Sequence, residues 1–143
     1  EGLCYLHDHN IIHRDIKGAN ILVSKTGVVY LSDFGASKKL EDVASLSSSS
    51  YSGDKCNTLA GSPYWMAPEV IQGDKQYGRK ADIWSVGAVV IEMSTGKPPF
   101  AELEPMAALF KIGSDQNVLP QFPSHLSECG KDFLSLCFQR DPS

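Results

Sequence analysis

His13-Arg14-Asp15-Ile16-Lys17-Gly18-Ala19-Asn20 sets a carboxylate, an ammonium and an amide close together along the chain. Thirteen residues beyond Asn20 comes Asp33-Phe34-Gly35, and further on Ala67-Pro68-Glu69. Residues of these types suit the movement of a phosphoryl group, which asks a protein for positioning and charge neutralisation rather than covalent work. A carboxylate beside an attacking hydroxyl orients it and accepts its proton, and Asp15 is placed for that. A cation must meet the phosphate oxygens, and Lys17 lies two residues on. Magnesium needs hard oxygen ligands, a few of them from the protein; Asn20 and Asp33 offer an amide and a carboxylate. Taken singly, Asp15 reads as a turn acid and Lys17 as a solvated surface charge. Taken jointly at this spacing, they favour the catalytic reading.

The elements that must hold these residues are legible in outline. Gly2 to His9 reads as the end of a helix, with Leu3 and Leu6 one turn apart and Asn10 as its stop. Ile11-Ile12 is a short apolar pair. Ile21-Leu22-Val23 and Val28-Val29-Tyr30-Leu31 flank Ser24-Lys25-Thr26-Gly27, the pattern of a hairpin. Its two ends bring Asn20 and Asp33 together, and Gly35 leaves the backbone free to swing Asp33 in or out of place. Residues 41 to 57 include a serine-rich stretch too polar to pack, expected to be a mobile loop. Asp82 to Thr95 is apolar on nearly every side, as befits a central helix, with Asp82 placed to cap it or to bond nearby amides. Gly96, Pro98 and Pro99 end it. Pro105 to Ile112 and Lys131 to Gln139 read as two amphipathic helices. The fold class is therefore mainly α with a small β-hairpin.

Composition narrows the alternatives. The chain has 143 residues, 42% hydrophobic and 21% charged, with a net charge of −4. A mildly acidic chain lacks the dense positive charge on which sequence-independent nucleic-acid or membrane-surface binding rests. The apolar run around Ile83 to Met93 is too short to span a bilayer, so no membrane insertion is expected. Cys4, Cys56, Cys129 and Cys137 are widely spaced and read as free thiols of a cytoplasmic protein.

The octet, the hairpin and the two later triplets, in this order, resemble the signature set of the eukaryotic protein kinases. The resemblance covers residues 1–143 and is to the C-terminal lobe of the catalytic domain. It implies ATP and Mg²⁺ as cofactors, Asp15 and Lys17 as catalytic residues, and Lys17, Asn20 and Asp33 around the nucleotide, with Asn20 and Asp33 on the metal. It implies structural roles for His13, Phe34, Gly35, Glu69 and Asp82: His13 packs near Phe34, and Asp82 tethers the catalytic-loop backbone. Lys17-Gly18-Ala19-Asn20 resembles the serine/threonine pattern rather than the tyrosine one. Ser62 stands where such kinases usually carry a Thr that bonds the catalytic Asp and Lys; the hydroxyl is kept. Asp33 to Glu69 is a 37-residue activation segment. In the family an Arg directly before the catalytic Asp marks enzymes switched by phosphorylation of this segment. That implies regulatory roles for Arg14, Ser62 and Thr58, the last as primary phosphosite and the serines from Ser45 to Ser52 as secondary ones. The wording from His13 to Leu22, Asp33 to Leu40, Gly61 to Glu69 and Leu109 to Gly113 is similar to the MAP kinase kinase kinases, in their MEK-kinase branch. The implied protein substrate is a MAP kinase kinase.

The chain opens inside a helix pattern and stops at Asp141-Pro142-Ser143, so both ends read as cut. The family's Gly-rich loop, strand Lys and partner Glu have no counterpart within it, and the N-terminal lobe is expected to be absent. The expectation is a partial kinase domain that alone binds ATP poorly, does not turn over, and exposes apolar surface. Glu69 normally pairs with an Arg further along than this chain reaches, and Arg140 comes early for that role. The competing reading is a pseudokinase or docking scaffold on the same fold, whose mark would be loss of Asp15, Lys17, Asn20 or Asp33. All four are present. A short natural product that competes for partners without catalysis is a third reading.

Overall fold

The computed structural model describes residues 1–39, 62–74, 78–115 and 117–141. Thr58, Cys56 and the serines from Ser45 to Ser52 lie outside them. Five α-helices, four short strands and three 3₁₀ turns make up the described residues. Helix α1 (Gly2–Asp8) leads into strand β1 (Ile11–Ile12). Strands β2 (Ile21–Val23) and β3 (Val29–Leu31) form the expected antiparallel hairpin, with Leu22 opposite Tyr30. Gly27 takes φ of +81°, a turn position that a residue with a Cβ resists. Ser24 Oγ accepts the amides of Thr26 and Val28 at 3.2 and 3.0 Å, so Val28 belongs to the turn and not to the strand.

A second pairing was not legible in sequence. Strand β4 (Lys38–Lys39) runs antiparallel to β1, with Ile12 opposite Lys38. The segment after Asp33-Phe34-Gly35 is thereby held against the strand just before the octet His13–Asn20. Nothing in Lys38-Lys39 has strand character; the pairing is imposed by position.

The helical part is organised around α3 (Arg79–Thr95). It begins one turn earlier than the apolar pattern suggested. Gly78 is at its N-cap, and Asp82 lies inside the first turn with its side chain engaged elsewhere. Gly96 ends it in the left-handed region, its amide bonded to Glu92 O at 2.8 Å. Helix α5 (Glu128–Cys137) packs on α3, while α2 (Pro68–Ile71) and α4 (Pro105–Ser114) pack on each other and join the same core. Helix α5 starts three residues earlier than expected because Ser127 caps it, accepting the Gly130 amide at 3.2 Å. Trp84, Ala88 and Ile91 of α3 share one core with Ala67, Ile112, Leu134 and Phe138. Trp84 and Phe138 meet edge to face with ring centres 4.9 Å apart.

The crossing of α3 and α5 is close enough to exclude a methyl group. A Cβ on Gly87 would stand 2.7 Å from Cys137 Cβ and 3.0 Å from Phe138 Cζ. Both neighbours are buried and cannot retreat. Gly87→Ala is therefore expected to destabilise the fold by about 1–3 kcal/mol through overpacking. A denaturant midpoint indistinguishable from wild type would show that the crossing has slack.

On the hairpin Leu22, Val23, Val28, Val29 and Tyr30 all face solvent, and on the helices Met93, Phe110 and Leu136 do so too. Cys4 and Cys129 are exposed free thiols, and Cys137 is a buried one whose pKa is pushed up to about 11 by burial. No helix among the described residues is long and apolar enough to cross a membrane.

Candidate active site

The octet His13–Asn20 is suspended between two anchors on α3. Asp82 is 1% exposed. Its Oδ2 accepts the His13 amide and its Oδ1 the Arg14 amide, both at 2.9 Å. His7 Nε2 lies 2.8 Å from the same Oδ2. Arg14 takes φ of +72°, a conformation that costs roughly 1–2 kcal/mol in a residue with a Cβ. A hydrogen bond to a charged group contributes about 1.5–3 kcal/mol. The grip of Asp82 on two successive amides therefore outweighs the strain it imposes. Asp82 thus reaches the start of the octet across 68 residues of sequence.

His13 is fully buried and has both ring nitrogens engaged. Nε2 lies 3.2 Å from Ser32 O, and Nδ1 accepts the Asp15 amide at 3.4 Å, which puts the ring proton on Nε2. Its ring centre is 5.2 Å from that of Phe34. A histidine spent in this way supports the loop and offers no free lone pair to a substrate.

The remaining groups of the octet turn toward one point. Lys17 Nζ donates to Asp15 Oδ2 at 2.8 Å and to Ser62 Oγ at 2.9 Å. Ser62 Oγ donates in turn to Asp15 Oδ1 at 3.3 Å. Carboxylate, ammonium and hydroxyl thus form a closed triangle, although Ser62 is 45 residues from Lys17. Asn20, buried in the 3₁₀ turn Gly18–Asn20, donates Nδ2 to Asp15 O at 2.7 Å and to Asp15 Oδ2 at 3.0 Å. Burial by itself would raise the Asp15 pKa. The hydrogen bonds from Lys17, Asn20 and Ser62, with the Lys17 charge, outweigh it and hold the carboxyl below its ordinary value.

Asp33 reaches the same neighbourhood through the backbone. The adjacent Ser32 donates both N–H and Oγ–H to Asn20 O, at 2.9 and 3.0 Å. Asp33 itself is exposed, with φ of +63°, and its Oδ1 accepts the Gly35 amide at 3.3 Å. The left-handed residue of this triplet is Asp33, and Gly35 sits inside the 3₁₀ turn Phe34–Ala36. Asn20 spends its amide nitrogen on Asp15 and keeps its amide oxygen, while Asp33 keeps one carboxylate oxygen. One amide and one carboxylate oxygen are a donor set that fits magnesium, which retains much of its own water.

Glu69 lies apart from this cluster. It borders a groove of ≈ 390 Å³ together with Lys80, Trp84 and Cys137, and none of Asp15, Lys17, Asn20 or Ser62 lines that groove. Burial raises the Glu69 pKa. Arg140 does not serve it. Its guanidinium donates to Ile112 O at 2.8 Å and Val118 O at 3.1 Å and lies over the Trp84 ring.

Two residues that sequence reasoning passed over belong to the site's frame. Glu92 Oε2, on α3, accepts the Gly18 amide at 3.0 Å and the indole N–H of Trp65 at 2.9 Å. The signal that could have found Glu92 is an acid set in the apolar stretch from Ile83 to Met93.

The family described as "Protein kinase domain" matches residues 1–143. The chain is 55% identical over 138 residues to mitogen-activated protein kinase kinase kinase 3 of Homo sapiens, covering 96% of this chain and 21% of that protein. It is 45% identical over 141 residues to human mitogen-activated protein kinase kinase kinase 19, covering 99% of this chain and 10% of that protein. With the kinase YODA of Arabidopsis thaliana it shares 49% over 142 residues, covering 99% of this chain and 15% of that protein. The chain thus spans a tenth to a fifth of the length of these relatives. With the octet, both later triplets and a family match over its whole length, this chain belongs to the protein kinase domain family.

Proposed function

We propose that the protein carrying this chain is a serine/threonine kinase that transfers the γ-phosphoryl group of ATP to a hydroxyl of a MAP kinase kinase, and that this chain supplies the C-terminal lobe of its catalytic domain. The observation that carries the reading is the closed triangle of Asp15, Lys17 and Ser62, braced by Asn20. In this reading Asp15 orients the substrate hydroxyl and takes its proton. Lys17 meets the γ-phosphate oxygens, and Ser62 holds Asp15 and Lys17 in register. Asn20 and Asp33 would hold Mg²⁺, which supplies charge neutralisation on the phosphates when bound. The relatives' names, all of mitogen-activated protein kinase kinase kinases, support the choice of substrate class. A cytoplasmic setting is part of the same reading, supported by free Cys4, Cys129 and Cys137.

The test is phosphotransfer by the full-length protein onto a panel of MAP kinase kinases, with Asp15→Asn as control. Transfer to serine or threonine that the control lacks supports the reading. No transfer by wild type to any of them would favour the scaffold alternative.

Regulation adds a second expectation. A phosphate brings nearly two negative charges, for which Arg is the natural clamp, and Arg14 directly precedes Asp15. Thr58→Ala is expected to lower the activity of the full-length enzyme several-fold. Unchanged activity in that variant, with the neighbouring serines intact, removes Thr58 from the account.

A further inference from the structure

We propose that Ser37 is a positioning residue for phosphotransfer, its hydroxyl coupling the segment after Asp33-Phe34-Gly35 to the backbone that leads into Asp15. The inference rests on the kinase reading above. Strands β1 and β4 pair Ile11 with Lys39 and Ile12 with Lys38. One step further, the same register sets Ser37 across from His13. There the contact is made by a side chain. The Ser37 amide closes the 3₁₀ turn Phe34–Ala36, donating to Phe34 O at 3.0 Å. Its hydroxyl reaches across and donates to His13 O at 3.3 Å. Asp33 to Ala36 and both lysines of β4 are exposed, whereas Ser37 is half-buried. It is the residue of this stretch that turns toward the octet.

The oxygen that Ser37 binds belongs to the first peptide unit of the octet. At the other edge of that unit, the Arg14 amide donates to Asp82 Oδ1 at 2.9 Å. One peptide plane is thus held from two sides, at its N–H by the central helix and at its C=O by Ser37. The hold falls where it counts, because Arg14 carries φ of +72° and Asp15 comes next. A strained backbone angle persists only where the surroundings over-determine it. The same two segments also meet through the rings of His13 and Phe34, 5.2 Å apart. Ring packing limits distance, whereas a hydrogen bond is directional and also fixes the rotation of the peptide. Ser37 lies four residues after Asp33. A shift of that segment therefore breaks the bond and frees the peptide before Asp15.

In the full-length enzyme, Ser37→Ala is expected to lower kcat by about 3–10-fold, the scale of one neutral hydrogen bond. The KM for ATP should stay within about twofold of wild type, since the hydroxyl bonds to His13 and to none of Lys17, Asn20 or Asp33. Two further variants separate the hydroxyl from the shape. Ser37→Thr keeps the donor, and Ser37→Val puts a methyl group in its place. Both are β-branched and suit the extended backbone at this position, φ −66° and ψ 143°. Ser37→Thr should retain most of the wild-type kcat, and Ser37→Val should fall to the level of Ser37→Ala.

Hydrogen exchange of the Arg14 amide reads the same peptide without catalysis. It should accelerate in Ser37→Ala and Ser37→Val and keep the wild-type rate in Ser37→Thr. Amides of α5 serve as the internal reference, and their rates should not change. If the wild type transfers no phosphate, the kinase reading fails, and the link is judged by exchange alone. Equal kcat in Ser37→Thr and Ser37→Val, or unchanged Arg14 exchange in Ser37→Ala, would overturn the proposal. Acceleration shared equally by α5 would mark a general loss of stability and would overturn it too. If Ser37→Val does not fold, the contrast between Ser37→Ala and Ser37→Thr decides: equal kcat overturns the proposal, and selective loss in Ser37→Ala upholds it.

Discussion

On the kinase reading proposed above, Asp15→Asn in the full-length protein is expected to lower kcat for phosphotransfer by about 10²–10⁴-fold, the range for removal of a positioned general base, and to leave the KM for ATP nearly unchanged. The argument starts from the charge state. Burial works against ionisation of Asp15, but three hydrogen-bond donors and the Lys17 ammonium more than compensate. The carboxylate is therefore ionised throughout the neutral range and available as an acceptor. Asparagine keeps the shape and the bond from Lys17 to an oxygen, but its amide cannot take a proton. The change thus isolates proton acceptance and orientation from packing.

The same charge state fixes the sign of a pH effect. The folded-state pKa of Asp15 is lower than its ordinary value. Its contribution to stability is then fully present above the unfolded-state pKa and is lost as pH falls through the folded one. Wild type should lose stability relative to Asp15→Asn as the solution is acidified through the carboxylate range, with the difference constant near neutrality. Steady-state kinetics check the first expectation, and denaturant midpoints across pH check the second. A drop in kcat of less than threefold would remove Asp15 from the role of base.

Asp82→Ala is the second large effect, and it falls on stability. Asp82 is nearly inaccessible to solvent and accepts the amides of His13 and Arg14 and a contact from His7. Its removal strands two buried amides and releases Arg14 from the tie that holds its positive φ. The expected loss is about 3–5 kcal/mol, the range for breaking a buried charged contact by deleting one partner. For a domain of this size that is on the order of 10 °C in Tm. Asp82→Asn keeps one acceptor oxygen and should fall between alanine and wild type. Activity is expected to fall alongside, because the backbone leading into Asp15 loses its anchor. A loss under 1 kcal/mol for the alanine variant would mean that water or a shifted loop satisfies both amides.

These effects share a cause. Neither Asp15 nor Asp82 acts through a contact with its sequence neighbours alone. Asp15 depends on Ser62, 47 residues away, and Asp82 reaches back 69 residues to His13. The octet His13–Asn20 is a loop with little regular structure of its own, held at its start by Asp82 and at Gly18 by Glu92.

The sequence by itself determined the chemistry on offer: a carboxylate, an ammonium, an amide and a second carboxylate at fixed spacing around a hairpin. It also determined the hairpin and the four longer helices, because periodicity and turn residues act over a few positions and are read locally. Tertiary structure decided how those groups meet. It recruited Ser62 to close the triangle, paired Lys38-Lys39 with Ile11-Ile12, gave the left-handed backbone position to Asp33 rather than Gly35, and turned Glu92 into a link between two segments. The physical reason is range. A hydrogen bond is satisfied by whichever donor the fold brings near, and over tens of residues the order of amino acids carries no local mark of which donor that will be.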